Sequence, residues 1–267
     1  MTQDRIPPLL LVGFGKMGGA MLAGWREAGL APSIAVDPTG PASPGPELTV
    51  VTDAAAIPAD FAPAAVILAV KPQSAAETLP LYRRFAGSAV FLSIMAGRTL
   101  AGMQALLGDA AIVRAMPNTP AAVRQGVTVG CPNGRVTAGQ RDLCDRLLRA
   151  IGVVAWVEDE ALIDPVTAVS GSGPAYVFLL AELMEQAALA QGIPADLARL
   201  LARQTVTGAG ALLAASPEAS GVLRQNVTSP KGTTEAALKV LMAADAWPKA
   251  VDVAIAAATV RSRELAG

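Results

Sequence analysis

Histidine is absent from this chain of 267 residues, and its absence removes several kinds of active site at once. The protein cannot build a Ser-His-Asp triad, use an imidazole as general acid or base, or bind zinc through imidazole nitrogens. A side chain that donates a proton in catalysis must therefore be a hydroxyl, a carboxyl or a lysine, and we expect no metal site.

Cysteine and net charge are scarce as well. The two cysteines, Cys131 and Cys144, match no metal or redox motif in their spacing, so we expect free thiols in a reducing cytosol. The 21 Lys and Arg residues nearly balance the 22 Asp and Glu residues, which leaves no basic surface for nucleic acid. We expect a cytoplasmic protein without a nucleic-acid partner.

Long apolar runs are also missing, although 52% of the residues are hydrophobic. A membrane-spanning helix needs about 20 mostly apolar residues. The run 61–70 is bounded by Asp60 and Lys71 and is too short, and the run 166–181 is interrupted by Ser, Gly and Pro. The N-terminal residues carry Asp4 and two prolines, unlike a secretory signal. We therefore expect no association with a membrane.

The first part of the chain alternates short apolar runs with helical patterns, which is typical of a doubly wound parallel sheet. Strands are expected at 9–12, 34–36, 64–70, 89–94, 111–114, 127–129 and 153–157. Helices are expected at 16–28, 136–150 and from an N-cap at Thr99 to Leu107, with a loop at 38–46. We predict an α/β domain at 1–159.

The second part, 160–267, contains no convincing strand pattern. Helices are expected at 175–191, 194–215, 234–243 and 247–265. A lone helical bundle this rich in Ala and Leu would leave apolar faces uncovered, so we predict that it packs against another subunit in a homo-oligomer.

A glycine-rich motif, GFGKMG, follows the first predicted strand and opens the first predicted helix. Gly13 permits the tight turn, Gly15 allows the backbone to approach a pyrophosphate, and Gly18 allows helix and strand to pack closely. The helix N-terminus supplies amide donors for the phosphates. The candidate phosphate loop consists of Gly13, Phe14, Gly15, Lys16, Met17 and Gly18. A glycine-rich turn without a ligand is the alternative.

Asp37 ends the second predicted strand, at the usual spacing from the glycine motif. A carboxylate there can bond the ribose hydroxyls of NADH, and it would repel the 2′-phosphate of NADPH. No Arg or Lys lies between Asp37 and Asp60, which favours NADH. Loop backbone, Thr39 or Ser43 could still serve NADPH, so both cofactors remain open.

Two further segments lie at the ends of predicted strands, where open parallel sheets bind their ligands. The candidate cofactor contacts after these two strands are Val70, Lys71, Pro72, Ala96 and Gly97. Asn118 lies in a third segment, MPNTP, which by itself could be only a rigid loop.

A loop-to-helix junction, NVTSPKGTTE at 226–235, stands out in the helical part of the chain. Its hydroxyls and free backbone amides would suit a carboxylate. The alternative is that Thr233 only caps the helix that follows.

Six motifs follow one another along nearly the whole chain: GFGKMG, LAVKPQ, SIMAG, RAMPNTPA, VSGSGPAYVF and NVTSPKGTTEAAL. In this order and spacing they resemble 1-pyrroline-5-carboxylate reductase. That family reduces a cyclic imine to L-proline with NADPH or NADH, the last step of proline synthesis. The resemblance implies an N-terminal Rossmann domain and an all-α domain that builds a homodimer. Some members form a decameric ring, and the sequence leaves dimer and decamer open.

The resemblance also assigns roles to residues of this chain. It implies phosphate contacts at 13–18, further cofactor contacts at Val70, Lys71, Ala96 and Gly97, and cofactor-binding roles for Asn118, near the nicotinamide, and Asn226. The substrate site is expected between the domains and is completed by the partner's helical domain. The implied substrate contacts are Glu160, Ser229, Gly232, Thr233 and Thr234. The Thr234 hydroxyl is the implied catalytic group and would serve the ring nitrogen.

The chain departs from the family pattern at three positions. Lys231 stands where Gly is usual in SPGGTT, and it either adds a cation for the substrate carboxylate or points to solvent, which we favour slightly. Gln225 replaces a common acidic residue, and Ser220 replaces a proline, which weakens Glu218 as a candidate for any role.

Two rival functions are weighed against the reductase. A hydroxyacid dehydrogenase of the 6-phosphogluconate type would use a lysine on the long helix at 175–191, which has none. A nicotinamide-binding regulatory protein would need 13–18 but not the SPKGTT segment.

Overall fold

The structure is a computed structural model that describes residues 5–38 and 45–266. The chain divides into two compact units, one formed by Met1–Gly171 with Ala258–Gly267 and the other by Ser172–Ala257. The boundary predicted after residue 159 stays a prediction. Thr39 and Ser43, the alternative contacts for a 2′-phosphate, lie outside the described residues.

The first unit is built on one sheet of eight strands in the order β3-β2-β1-β4-β5-β6-β7-β8. The strands are β1 Leu9–Val12, β2 Ser33–Val36, β3 Leu48–Val51, β4 Ala65–Leu68, β5 Val90–Ser93, β6 Ala111–Met116, β7 Gly126–Pro132 and β8 Gly152–Trp156. Strands β1 to β6 are parallel and follow the order of a doubly wound dinucleotide-binding sheet. The α/β prediction is thereby confirmed.

The last two strands depart from the predicted parallel arrangement. Strand β7 pairs antiparallel with β6, and β8 pairs parallel with β7, so both run against the first six strands. The reason is the short connection after β6, which holds only the 3-10 turn Thr119–Val123. A parallel crossover would need about a dozen residues or more.

Helices cover the sheet of the first unit. They are α1 Lys16–Glu27, α2 Ala75–Thr78, α3 Leu100–Leu107, α4 Ala138–Arg149 and α5 Ile163–Val166, followed by a π-helical turn at Thr167–Gly171. Short 3-10 segments lie at Ala54–Ala56, Pro72–Ser74, Leu79–Phe85, Thr119–Val123 and Glu160–Leu162. The predicted cap of α3 is confirmed, since the Thr99 hydroxyl accepts the Gly102 N–H at 3.1 Å.

Successive residues of the central strands face opposite sides of the sheet. Leu9 and Leu11 enter one apolar cluster, while Leu10 and Val12 enter the other. Such strands are buried on both faces, which explains why they read as continuous apolar runs in the sequence.

The second unit is helical. Its helices are α6 Gly173–Ala190, α7 Ala195–Ala215, α8 Ser220–Asn226, α9 Thr233–Leu241 and α10 Trp247–Ala266, whose turns from Ala258 onwards belong to the first unit. Gly192 takes a φ of +83° just after α6, as the sequence predicts for a residue that ends a helix.

Apolar side chains of the second unit are largely exposed. Within the described part of helices α6 to α9, only Ala198 and Ala202 are buried. The exposed side chains include Phe178, Leu179, Leu183, Leu200, Leu212 and Val240. An isolated unit of this kind has almost no core of its own, so its apolar surface needs a cover.

The expectation that no segment is long and apolar enough to span a membrane was wrong. The helical stretch Glu160–Ala190 has 31 residues and is apolar enough to cross a membrane by length and composition, and its most apolar part is almost entirely exposed. The small residues at 170–174 do not interrupt it, because they fit into the π-helical turn and the start of α6. An apolar helix that packs against another subunit has the same length and composition, so this helix does not by itself indicate a membrane protein.

Candidate active site

The loop between β1 and α1 has the shape that a dinucleotide site requires. Gly13 takes a φ of +87°, and a Cβ there would lie 2.9 Å from the carbonyl oxygen of Ala69. Gly15 is the N-cap of α1 with no side chain to cap it, and a Cβ on Gly15 would meet open space. The first amides of α1 therefore face a region with room for a phosphate group.

Gly18 is less constrained than the motif implies. A Cβ there would lie 3.4 Å from the Gly13 carbonyl oxygen, which is ordinary contact. The glycine of α1 that cannot carry a side chain is Gly24, where a Cβ would lie 2.6 Å from the carbonyl oxygen of Ala150. The nearby Trp25 indole donates to the Leu147 carbonyl at 2.8 Å, so α1 and α4 pack closely.

Asp37 lies directly after β2 and contacts the glycine loop. Its Oδ2 accepts the backbone N–H of Phe14 at 2.7 Å. One carboxylate oxygen thus fixes the loop against the end of β2, a role that the sequence did not predict. Its contact with a cofactor ribose stays a prediction.

The loops after β4 and β5 lie together, as expected for neighbouring parallel strands. Arg98 joins them, since its Nε and Nη2 donate to the Pro72 carbonyl at 2.9 and 2.6 Å. Gly97 takes a φ of +67°, and a Cβ there would lie 2.9 Å from the carbonyl oxygen of Leu265. The adjacent Val70, Lys71 and Ala96 are thereby held near one edge of the sheet.

Asn118 is 9% exposed and holds the segment after β6 in place. Its Oδ1 accepts the Val127 N–H at 3.0 Å, and its Nδ2 donates to the Ser170 carbonyl at 3.1 Å. The side chain therefore connects β6, β7 and the π-helical turn. Its proposed contact with the nicotinamide is untested.

Glu160 and Arg114 form an ion pair in the first unit. Glu160 Oε1 accepts from Arg114 Nη1 and from the Leu100 backbone N–H, both at 2.7 Å. Sequence reasoning missed Arg114, although an arginine inside the apolar run AIVRAM was a visible signal. The same reasoning missed Arg98, whose partner is distant in sequence.

The SPKGTT segment lies in the second unit, before α9. Gly232 is the N-cap of α9 and Thr233 is its first residue, so the interpretation of Thr233 as the N-cap was wrong. The reason is that Gly232 is extended and its N–H bonds to the Ser229 carbonyl at 3.0 Å, so Gly232 takes the N-cap position and the helix begins at Thr233, one residue earlier than predicted. No side chain caps α9, which leaves first-turn amides open for an anion.

Two neighbouring contacts shape this segment. Lys231 takes a φ of +58°, which explains why glycine suits this position, and its backbone N–H donates to the Glu235 carboxylate. Asn226 Nδ2 donates to Glu218 Oε2 at 3.2 Å. Glu218, which the sequence made a weak candidate for any role, therefore orients Asn226, which the family resemblance makes a cofactor contact.

Both cysteines are free, as predicted, and the structure shows that both are buried. Burial raises the pKa of the Cys131 thiol to about 11 and that of the Cys144 thiol to about 12. Both side chains are therefore protonated at neutral pH and unsuited to act as nucleophiles.

Comparison with known proteins identifies the family. Residues 160–265 match the family model described as pyrroline-5-carboxylate reductase dimerisation. The pyrroline-5-carboxylate reductase of Pseudomonas aeruginosa is 38% identical over 97% of each chain. The structure of the Coxiella burnetii enzyme covers 98% of this chain and 99% of its own, with 31% identity and a TM-score of 0.89.

A third relative was solved with a nucleotide. The Plasmodium falciparum pyrroline carboxylate reductase, described with NADP bound, is 25% identical with a TM-score of 0.82, and the match covers 98% of this chain and 99% of that one. Since the similarity spans both compact units at well over 30% identity to the bacterial relative, this chain belongs to the pyrroline-5-carboxylate reductase family.

Proposed function

We propose that this protein reduces the C=N bond of 1-pyrroline-5-carboxylate to give L-proline, with NADH or NADPH as the reductant. The observation that carries the proposal is the 38% identity to the Pseudomonas aeruginosa reductase over 97% of both chains. A match of that extent includes both the sheet unit and the helical unit. The reaction would complete proline biosynthesis in the cytoplasm.

The phosphate loop fits the cofactor. The open space beside Gly15 and the uncapped start of α1 suit a pyrophosphate, and Gly13 brings the backbone close to the loop after β4. When bound, the dihydronicotinamide supplies a hydride for the imine carbon. Val70, Lys71, Pro72, Ala96, Gly97, Asn118 and Asn226 are the further residues proposed to position it.

NADH is proposed as the preferred cofactor because of Asp37. The carboxylate lies at the end of β2, and its contact with Phe14 places it next to the phosphate loop. A 2′-phosphate there would meet a negative charge, whereas ribose hydroxyls would find an acceptor. The ratio of kcat/KM for NADH and NADPH measures this preference.

The SPKGTT segment is proposed to bind the substrate. The backbone amides of Thr233 and Thr234 at the start of α9 would hold the substrate carboxylate, with Gly232 and Ser229 as further contacts, because the Gly232 amide already donates to the Ser229 carbonyl. Glu160 of the first unit is proposed as a separate substrate contact. The Thr234 hydroxyl would bond the ring nitrogen and relay a proton to it from water, while the imine carbon receives the hydride. Most of the rate enhancement would come from positioning, because hydride transfer needs no covalent bond to the protein.

Homo-oligomerisation follows from the dimerisation domain at 160–265. We propose a homodimer through this helical part of the chain, because its exposed apolar side chains need a cover. Light scattering after size-exclusion chromatography separates a dimer from a decamer by mass.

Product analysis tests the proposed reaction. Purified protein is incubated with 1-pyrroline-5-carboxylate and limiting NADH or NADPH, and amino acids are separated by chiral chromatography. We expect one L-proline for each nicotinamide oxidised. Oxidation of the cofactor without proline would mean that the protein reduces a different group.

A further inference from the structure

A buried arginine in the first unit lies outside the residues that the family resemblance assigns to the site. Arg114 is in β6, opposite Cys131 of β7, and is only 4% exposed. Removing a guanidinium from water is costly unless the charge is paired and hydrogen-bonded. The structure provides two carboxylates for that purpose.

The two carboxylates belong to one short segment. Arg114 Nη1 donates to Glu160 Oε1 at 2.7 Å, and Arg114 Nη2 lies 4.0 Å from Asp164 Oδ1. Asp164 Oδ1 also accepts from the Ser262 hydroxyl at 2.7 Å. Arg114 therefore connects the sheet to the segment 160–164, and that segment is tied in turn to the last turns of α10.

Glu160 is fixed at one of its two carboxylate oxygens. Its Oε1 also accepts the backbone N–H of Leu100, the first residue of α3, which follows the loop of Ala96 and Gly97. Its Oε2 makes no hydrogen bond to any residue in the described part of the chain, and the side chain is 27% exposed. One oxygen is thus held by two donors while the other remains open.

We propose that Arg114 is a positioning residue for the reductase reaction, which orients Glu160 so that its open Oε2 stabilises the positive charge of the protonated substrate imine, whose ring nitrogen is bonded by the Thr234 hydroxyl. The inference rests on the proposed function, including the assignment of Glu160 as a substrate contact. A carboxylate that two donors already fix need not reorient when positive charge develops nearby. Arg114 acts through Glu160 and itself touches neither substrate nor cofactor.

The fork of the guanidinium predicts that lysine does not replace Arg114 in this role. Two nitrogens of one planar group face Glu160 and Asp164, whereas a lysine ammonium on a flexible stem offers a single point charge. Arg114→Lys keeps the charge balance of the buried cluster but loses the planar group that fixes the orientation of the Glu160 carboxylate. It is therefore the main test variant, and Arg114→Met is the more severe one.

A double-mutant cycle in kcat/KM tests the inference. Arg114→Lys is expected to lower kcat/KM for 1-pyrroline-5-carboxylate about tenfold, with KM for the nicotinamide cofactor unchanged. Glu160→Gln is expected to cause a similar loss. The double variant should be little worse than either single variant, because both substitutions act through one carboxylate.

Arg141→Lys is the matched control, since Arg141 pairs with Glu158 at the same 2.7 Å on the surface, and we expect wild-type kinetics.

The proposal would be overturned if the losses in kcat/KM of the two single variants multiplied in the double variant. It would also be overturned if Arg114→Lys raised KM for the nicotinamide cofactor by as much as it lowered kcat/KM for the substrate. Either result would make Arg114 a purely structural residue. If Arg114→Met fails to fold, the lysine variant still completes the cycle. Wild-type protein that is folded but inactive on 1-pyrroline-5-carboxylate would instead refute the proposed function.

Discussion

At the scale of single residues, the Thr234 hydroxyl is the group on which the proposed chemistry depends. It lies in the first turn of α9, one residue after the start of the helix, and makes no hydrogen bond within the described part of the chain. Its loss should therefore affect catalysis far more than folding.

Thr234→Ala is expected to lower kcat about a hundredfold, the usual effect of removing a positioned proton donor. The melting temperature should stay close to that of the wild type, because Gly232 and not Thr234 is the N-cap. Thr234→Ser keeps the hydroxyl and should recover most of the activity. Parallel loss of kcat and melting temperature would indicate that Thr234 is only structural.

The negative charge of Asp37 and its hydrogen bond to the glycine loop can be tested separately by substitution. Asp37→Asn removes the negative charge and keeps an amide oxygen that can accept the Phe14 N–H. We expect kcat/KM for NADPH to rise about fivefold relative to NADH, which corresponds to roughly 1 kcal/mol of repulsion at 4 Å in water. An unchanged ratio in initial-rate assays with both cofactors would show that Asp37 does not select between them.

At the scale of secondary-structure elements, the contact of α1 with α4 depends on a glycine outside the recognised motif. Gly24→Ala would place a Cβ 2.6 Å from the Ala150 carbonyl oxygen, and we expect a loss of about 1–3 kcal/mol in the free energy of unfolding. Gly19→Ala is the control on the same helix, because a Cβ there meets nothing within 4 Å. It should gain up to about 1 kcal/mol through helix propensity. Denaturant titration in the absence of cofactor measures both changes.

Elements with a strong local pattern could be predicted from the sequence, and elements defined by distant partners could not. Strand β1 was predicted at its observed bounds because it is apolar on both faces. Strand β3 was missed because it lies at the edge of the sheet with only Leu48 buried. The reversed direction of β7 was missed because β6 and β7 were predicted too short, at 111–114 and 127–129, so that the connection between them seemed long enough for a parallel crossover.

The same limit holds for the site. The glycine motif and the strand-end loops were recognisable because local backbone geometry dictates their residue types. Arg114 and Arg98 were missed because their roles come from partners far away in sequence. The left-handed φ of Lys231 explains why glycine is usual at this position of the family pattern, and nothing in the structure explains its replacement by lysine.

At the scale of the whole molecule, the exposed apolar surface of the second unit is the dominant feature. Leu183 of α6 is 51% exposed and lines an apolar cavity of about 410 Å³ with Trp247 and Val251 of α10. Leu183→Glu is expected to lower the oligomer mass and the melting temperature, because a partner subunit that binds only the folded state stabilises it. Leu81→Glu is the control, because Leu81 is 60% exposed in the first unit and should leave the mass unchanged. If light scattering finds both variants at wild-type mass, Leu183 lies outside the interface.

The proposed reaction of the whole protein is the reduction of a cyclic imine. The most direct measurement is the absorbance of the reduced nicotinamide after addition of 1-pyrroline-5-carboxylate, compared with NAD⁺ reduction in the presence of 3-hydroxyacids. We predict that the reduced nicotinamide is rapidly oxidised when the imine is added, and that the hydroxyacids cause no reduction of NAD⁺. Hydroxyacid-dependent NAD⁺ reduction, without any imine-dependent oxidation by folded protein, would contradict the account.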